Sequence, residues 1–229
     1  MSAPTSGAAE PRRFAPAERY AELAALGDVE LGARMLAAAP THEGRSPERL
    51  RAWARTAIAV GTEMAGDADA AGSGAEARVA ESTGGLRRDE VLLAEYRRRA
   101  RGGTVVLYTD ALDYARTVAE AAGWAADFPR EAVRAAALDH ECAHRLLHGP
   151  RGRDLRRRLD HTAAAVGRLR VRGHVVGADE IAAHAYAHRR GRMRRSPLLL
   201  TAAVAATLAH AGPPAPAAPA SVPSPGGPA

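Results

Sequence analysis

Large apolar residues in the first part of the chain recur every three or four positions, which is the spacing of helices that bury one face. This spacing predicts helices over residues 17–39 and 47–65. Ser46 followed by Pro47 predicts the start of the second helix, because serine caps helix N-termini and proline suits the first helical position. Residues 66–85 carry mainly Gly, Ala, Ser and Asp, and this composition predicts a loop with a short helical piece.

The pattern then changes to two short β-rich runs around the pair Gly102-Gly103. The runs are residues 91–96 and 104–109, and together they predict a β-hairpin. Helical spacing returns afterwards and predicts helices over residues 111–122, 129–147, 154–170, 178–192 and 197–211. The expected fold class is therefore α+β and mostly helical.

The composition restricts both the core and the available chemistry. Hydrophobic residues make up 46% of the 229 positions but aromatic residues only 4%, so we expect a core of closely approaching, alanine-rich helices. All 32 basic residues are arginine, and the chain contains no Lys, Asn or Gln. Schiff-base lysines, a P-loop lysine and a side-chain amide in an oxyanion hole are therefore excluded. Catalysis would rest on His, Asp, Glu, Tyr, Ser, Arg or a metal.

The charge and the cysteine content suggest a compartment and a class of partner. The formal net charge is +6, and arginines cluster at residues 97–101, 151–158 and 189–195, which makes nucleic acid one candidate partner. The single Cys142 excludes an internal disulfide, and the N-terminus lacks the form of a signal peptide. The longest apolar run, residues 198–211, is too short to cross a bilayer and predicts a buried helix. We therefore expect a cytoplasmic protein without membrane association.

The segment that carries most chemical information is His140-Glu141-Cys142-Ala143-His144, an H-E-x-x-H motif. In a helix, His140 and His144 lie one turn apart on the same face and can bind one tetrahedral zinc ion. Glu141 would project beside them toward a water molecule on the metal. Cys142 is expected to point away from that face, because it lies two positions after His140.

A catalytic zinc ion normally takes three protein ligands and leaves one position for water. Glu180 is the expected third ligand, because it begins an alanine-rich segment that can lie close against the motif helix. Asp179 and His184 in the same segment remain alternatives, as do His161 and His174 in the segment before it.

Over about residues 90–190 the chain resembles the small zinc metallopeptidase domains of the ImmA/IrrE type, which are gluzincins. The resemblance rests on the strand Val105-Val106-Leu107-Tyr108, on the H-E-x-x-H helix, and on Glu180 at the head of a segment of small residues. It implies a minimal zincin-like domain with a small antiparallel sheet and an active-site helix.

The resemblance also implies a function, the zinc-dependent hydrolysis of peptide bonds in a peptide or protein substrate. Zn²⁺ would be bound by His140, His144 and Glu180, and Glu141 would be the catalytic general base. Residues 104–109 would form an edge strand that pairs with an extended peptide.

Four segments are expected along the chain. They are a disordered tail at 1–16, a helical region with a linker at 17–88, the zincin-like domain at 89–211, and a disordered Pro/Ala-rich tail at 212–229.

The sequence leaves three further points open. A second donor to the oxyanion would have to be His184, His188 or Tyr186, because the chain has no side-chain amide. The alternative function is a catalytically silent zincin-like protein that contacts protein partners or nucleic acid through its Arg-rich surfaces. The oligomeric state is open in both cases.

Overall fold

The structure is a computed structural model that describes residues 14–71, 78–87, 90–99, 102–166, 169–191 and 193–211. The expected tails lie outside these residues, apart from residues 14–16. The helices are α1 (Ala17–Ala24), α2 (Asp28–Ala37), α3 (Pro47–Ala71), α4 (Thr109–Ala121), α5 (Arg130–Leu147), α6 (Pro150–Leu159), α7 (Ala178–Arg190) and α8 (Pro197–Ala211), with a 3₁₀ turn at Pro40–His42. The strands are β1 (Arg78–Ser82), β2 (Ala94–Arg99), β3 (Gly102–Tyr108), β4 (Thr162–Val166) and β5 (Leu169–Arg172). The predicted α+β, mostly helical class is confirmed.

The N-terminal helices follow the sequence pattern with two differences. The first predicted helix is divided into α1 and α2, because Gly27 takes an extended conformation as the N-cap of α2. The start of α3 is as predicted, and Ser46 Oγ accepts a hydrogen bond from the backbone N–H of Arg49 at 3.3 Å. The end of α3 differs from the prediction, because the helix continues to Ala71, into the segment predicted as a loop.

The main sheet has the strand order β1-β3-β2, in which β2 is antiparallel to β3 and β1 is parallel to it. The predicted hairpin is therefore present as β2 and β3, but the sheet is mixed rather than antiparallel. The sequence pattern missed β1 because all five of its residues are exposed, so no apolar and polar alternation marks it. Its pairing with β3 is what makes it a strand.

The edge strands of the described sheet are β1 and β2, and the expectation that β3 forms an edge strand is wrong. Tyr108 donates its backbone N–H to the carbonyl oxygen of Leu93 at 2.9 Å, so Leu93 and, two positions on, Glu95 direct their backbone groups toward β3. Because backbone direction alternates in antiparallel pairing, Ala94 and Tyr96 direct their N–H and C=O groups toward the open side.

The prediction of a helix over residues 154–170 is wrong in its second half. α6 ends at Leu159, because Asp160 takes a left-handed backbone conformation with φ of 44°. The chain then turns into the antiparallel hairpin of β4 and β5. The run of alanines in β4 favours helix locally, and the pairing with β5 overrides that preference.

The centre of the core is α7, which packs against both α3 and α5. Its buried face is built mostly from alanines: Ala178, Ile181, Ala182, Ala183, Ala185, Tyr186 and Ala187. These small side chains let α3 approach so closely that a Cβ atom added at Gly61 would lie 2.1 Å from the carbonyl oxygen of Ala182. The N-terminal helices therefore share one core with the helix that carries Glu180. Among the described residues, no helix combines the length and apolarity needed to span a membrane.

Replacing Gly61 should disrupt this contact between α3 and α7. We expect Gly61→Ala to lower the free energy of unfolding by about 1–3 kcal/mol or more, because the added methyl group overlaps backbone that cannot rotate away. Gly66→Ala in the same helix is the matched control, since a Cβ atom there meets nothing within 4 Å. It should be neutral or stabilising by up to about 1 kcal/mol. Urea unfolding measures both, and equal effects would contradict the close packing.

Asp110, in the first turn of α4, holds the turn that follows β1. Its carboxylate accepts hydrogen bonds from the backbone N–H groups of Gly84 (2.9 Å), Gly85 (3.2 Å) and Leu86 (3.4 Å). Burial opposes the charge on Asp110, but these hydrogen bonds outweigh it and lower the pKa of the carboxyl group. The ionised carboxylate therefore stabilises the folded chain.

Asp110→Asn should lower the free energy of unfolding by about 1–3 kcal/mol at pH 7. Because the pKa is lower in the folded state, the advantage of wild type is present above the unfolded-state pKa of about 3.9. It should vanish as the pH falls through the folded-state value. Urea unfolding at pH 7 and at acid pH tests this, with Glu120→Gln as a control because it removes only an exposed ion pair with Arg116. A difference that stays constant with pH would contradict the assignment.

Candidate metal centre

The H-E-x-x-H motif lies in the second half of α5, which begins at Arg130 after Pro129. The buried residues of this helix are Val133, Ala136, Ala137, Ala143 and Leu147. Leu146 is 38% exposed, whereas Leu147, the next residue along the helix, faces the core. Burial of one face of α5 directs His140 and His144 toward α7.

Glu180 lies in the first turn of α7, which starts after Gly177 in a left-handed conformation with φ of 84°. Glycine adopts this conformation without strain, so the chain can turn sharply into the helix. Ala183, one turn after Glu180, is fully buried. The small residues of α7 let this helix approach α5. The carboxylate of Glu180 is thereby carried to the motif.

The three predicted ligands converge in the structure. Nε2 of His140 and Nε2 of His144 lie 3.0 Å apart. The two oxygens of Glu180 divide between them: Oε2 lies 3.2 Å from Nε2 of His140, and Oε1 lies 3.2 Å from Nε2 of His144. Two imidazoles and a carboxylate from a separate helix thus meet at one point.

This donor set fits a tetrahedral zinc ion. Zinc binds imidazole nitrogen and carboxylate oxygen at about 2.0–2.2 Å, so ligand atoms at neighbouring corners of a tetrahedron are about 3.3–3.5 Å apart. The three observed separations of 3.0–3.2 Å are within a few tenths of an ångström of that value. Three protein ligands with the arrangement His, His, Glu also match the composition of catalytic rather than structural zinc sites.

The charges of the cluster support one another. Partial burial opposes ionisation of Glu180, but hydrogen bonds from His140 and His144 outweigh it and hold the pKa of Glu180 well below its usual range. Burial likewise opposes a charge on His144, whereas the neighbouring Glu180 raises the pKa of its imidazole above the ordinary value. The cluster is therefore a site that prefers a cation between its members.

Glu141 differs from Glu180 in its environment. Burial raises the pKa of Glu141 above its ordinary value, although the two neighbouring imidazoles act in the opposite direction. The backbone N–H of Tyr96, on the open edge of β2, faces this carboxylate and also acts to lower its pKa. Glu141 is thus a carboxylate held between the motif helix and an edge strand, with a raised proton affinity.

The alternative ligands are distributed differently. Asp179 and His184 are near the cluster: Asp179 lies within 4.8 Å of donor atoms of His144 and Glu180, and His184 lies equally near those of His140 and Glu180. Nε2 of His174 lies 3.9 Å from Oδ1 of Asp179, so His174 is further from the proposed ligands than Asp179 is.

His161 is not part of this cluster. Its ring packs against Trp53 at a centroid distance of 5.2 Å, beside the 3₁₀ turn and the start of α3. The sequence spacing alone contained no signal to separate it from the other histidines, because its position depends on the end of α6.

Of the three candidates for a second oxyanion donor, the structure brings only His184 to the site. The hydroxyl of Tyr186 lies 3.7 Å from Cys142 Sγ on another side of α5, and His188 borders a separate small cavity beside α2 and α3. His184 packs its ring 4.5 Å from that of His140. Burial, together with the charge on His140, lowers the pKa of His184 to about 3, so its imidazole is neutral.

Comparisons with known protein families, curated proteins and solved structures find no match to this chain. The assignment of the site therefore rests on the motif and on the geometry described above.

The chain should bind one zinc ion through His140, His144 and Glu180. We expect His144→Ala and Glu180→Gln each to weaken binding by more than about 100-fold, because a ligand matters at least as much as the outer partners of ligands do. His148→Ala is the matched control, since His148 is exposed at the C-terminus of α5, one turn beyond His144. Calorimetric titration with elemental analysis measures both the affinity and the stoichiometry.

Zinc should also raise the unfolding temperature, and a chelator should reverse the increase, because a ligand that binds only the folded state stabilises it. Unchanged zinc binding in Glu180→Gln would contradict Glu180 as the third ligand. The same titration on Asp179→Asn and His184→Ala would then identify the replacement.

Proposed function

We propose that this protein is a zinc-dependent metallopeptidase that hydrolyses peptide bonds. The observation that carries the proposal is the meeting of Nε2 of His140, Nε2 of His144 and the Glu180 carboxylate within 3.2 Å of one another, beside Glu141. The resemblance of the motif segments to ImmA/IrrE-type zincin domains supports the same conclusion. A cytoplasmic location remains part of this proposal, based on the single Cys142.

The residues of the site have separate roles in the proposed reaction. Zinc held by His140, His144 and Glu180 would supply a Lewis acid that lowers the pKa of water toward about 7. Glu141 takes a proton onto its carboxylate as water attacks the peptide carbonyl, and then delivers that proton to the leaving amine. The raised pKa of Glu141 suits it to hold the proton between these two steps.

His184 is the residue best placed to assist at the carbonyl oxygen. Its imidazole is neutral and lines the same cavity as Glu141, so it can donate one N–H to developing negative charge. Thr201 Oγ1 lies 3.4 Å from Nε2 of His184 and helps to orient the ring.

The open edge of β2 supplies a binding site for the peptide backbone. Ala94 and Tyr96 direct their backbone groups away from β3, and the N–H of Tyr96 reaches Glu141. An extended peptide that adds to this edge would place one of its carbonyl groups next to Glu141. The edge strand in the proposed mechanism is therefore β2, not β3.

The alternative, a silent protein that binds nucleic acid through Arg-rich surfaces, receives less support. Members of all three arginine clusters are paired with carboxylates, as seen for Arg97 with Glu95, Arg151 with Asp67, Arg158 with Glu63 and Arg190 with Asp139. Such pairs reduce the positive charge that these clusters offer to phosphates.

Glu141→Gln separates a peptidase from a silent metal-binding protein. We expect zinc-loaded wild type to cleave a mixture of unstructured peptides, and Glu141→Gln to cleave them about 100- to 10,000-fold more slowly, because a general base is lost. The variant should retain zinc, since Glu141 is not a ligand. Mass spectrometry of the digest, with zinc content measured on the same samples, tests both statements.

Glu131→Gln is the matched control, because Glu131 is an exposed carboxylate on the same helix. It should leave cleavage unchanged. Zinc-loaded wild type that cleaves no peptide, or cleavage that persists in Glu141→Gln, would contradict the proposed function. Salt-sensitive DNA binding without cleavage would favour the alternative.

A further inference from the structure

We infer that the small cavity where α2, α3 and α7 meet, the α2–α7 cleft, is a binding site for a free α-amino acid with an aliphatic side chain. The cleft has a volume of about 300 Å³. This volume is at the lower end of the usual range of about 300–1,000 Å³ for ligand pockets, so the cleft suits a small molecule. The residues that line it are Asp28, Ile58, Thr62, Ala185, His188 and Arg189. None of them lines the cavity beside the metal centre, so the site is independent of the proposed function.

The cleft forms because α2 begins where α3 and α7 continue. The three helices are in close contact at Gly32 of α2, where an added Cβ atom would lie 3.1 Å from Ala54 Cβ and 3.2 Å from Ile181 Cδ1. Ile58 lies one turn after Ala54 in α3, and Ala185 lies one turn after Ile181 in α7. At that level α2 is at its first residue, so it does not extend over the following turn of either helix. Ile58 and Ala185 are thereby left as the apolar part of the cleft.

Side chains of opposite charge border this apolar part. Asp28 lies in the first turn of α2, whereas His188 and Arg189 lie in the last turn of α7. Among the residues that the structure describes, neither Asp28 nor Arg189 forms an ion pair, although both line the same cleft. A carboxylate and a guanidinium group are therefore both available to one ligand, and the imidazole of His188 lies beside the guanidinium group.

The ends of two helices add the same two kinds of charge. The first backbone N–H groups of α2 carry partial positive charge, and its N-cap residue, Gly27, has no side chain to cap them. The last carbonyl groups of α7 carry partial negative charge. The cleft therefore offers hydrogen-bond donors and acceptors from the backbone as well as from side chains.

A free α-amino acid matches this combination of groups. Its ammonium group can pair with Asp28, and its carboxylate can accept two parallel hydrogen bonds from Arg189. An aliphatic side chain would cover Ile58 and Ala185 and remove apolar surface from water. A ligand with only negative charge would face Asp28 unfavourably, and one with only positive charge would face Arg189 unfavourably. A residue inside a peptide chain lacks both terminal charges, so the cleft favours the free amino acid.

Calorimetric titration of the full-length, zinc-loaded chain with leucine tests the site. N-acetylleucine and leucinamide each lack one of the two terminal charges. We expect leucine to bind with a dissociation constant of about 1 mM or lower. Each analogue should bind at least about tenfold more weakly, because a hydrogen bond to a charged group is lost. Leucine can also chelate zinc, so the titration is repeated on Glu180→Gln, which should bind leucine as wild type does.

Two variants remove one charge each from the cleft. Asp28→Asn and Arg189→Gln should each weaken leucine binding by about tenfold to 100-fold. The matched controls are Glu18→Gln, in the first turn of α1, and Arg55→Gln, on α3, because both residues are exposed and neither lines the cleft. Both controls should bind leucine with the affinity of wild type.

A third variant blocks the cleft without altering its charges. Thr62 is exposed at the border of the cleft, so Thr62→Phe places bulk there without entering the core, and it should abolish leucine binding. Ala59→Phe is its matched control, because Ala59 is exposed on the same helix and does not line the cleft. The unfolding temperature of each variant shows whether it is folded, and the two leucine analogues decide the question on wild type alone.

Several results would overturn the site. They are no binding of leucine to wild type, equal binding of leucine and either analogue, unchanged affinity in Asp28→Asn or Arg189→Gln, and binding that persists in folded Thr62→Phe. Loss of leucine binding in Glu180→Gln would also overturn it, because that result would assign the leucine to the metal centre. None of these measurements depends on peptide cleavage, so the cleft and the peptidase are tested separately.

Discussion

The close approach of α7 to its two neighbours is the constraint on which the site depends. Two of the proposed ligands are fixed by a single helical turn of α5, but the third belongs to another helix and can reach them only if the two axes lie near each other. Alanines on the buried face of α7 permit its approach to both neighbours. Gly61 of α3 permits the approach on that side, because it has no side chain that would collide with the backbone of α7. The N-terminal helices thus contribute to the geometry of the site although they carry none of its ligands.

The same packing places two carboxylates in one site with opposite environments. Glu180 lies between two imidazoles that favour its charged form, so its pKa falls. Glu141 lies on the same cavity with burial as its main influence, so its pKa rises. When neighbouring acids are shifted in opposite directions, one suits permanent ionisation and the other suits proton transfer. The proposed roles of ligand and general base follow from this difference.

The cavity beside the metal centre combines two kinds of surface that suit a peptide. The open edge of β2 presents backbone hydrogen-bonding groups at Ala94 and Tyr96, and the walls from α5 and α8 present aliphatic side chains. The helix α8 has a double role, because it closes the core over α4 and α7 and also forms one side of the cavity. In the proposed peptidase the two surfaces would act differently, since backbone pairing is independent of sequence whereas a pocket discriminates among side chains.

The sequence by itself determined the features that depend on neighbouring residues. Helical spacing located most of the helices, the glycine pair located the β2–β3 hairpin, and the H-E-x-x-H spacing placed His140 and His144 on one face. Tertiary structure alone decided the rest. It paired β1 with β3, turned the alanines of β4 into a strand, and left β2 rather than β3 at an edge of the sheet. It also brought Glu180, and not His161, to the motif, because a distance across forty residues depends on how helices pack.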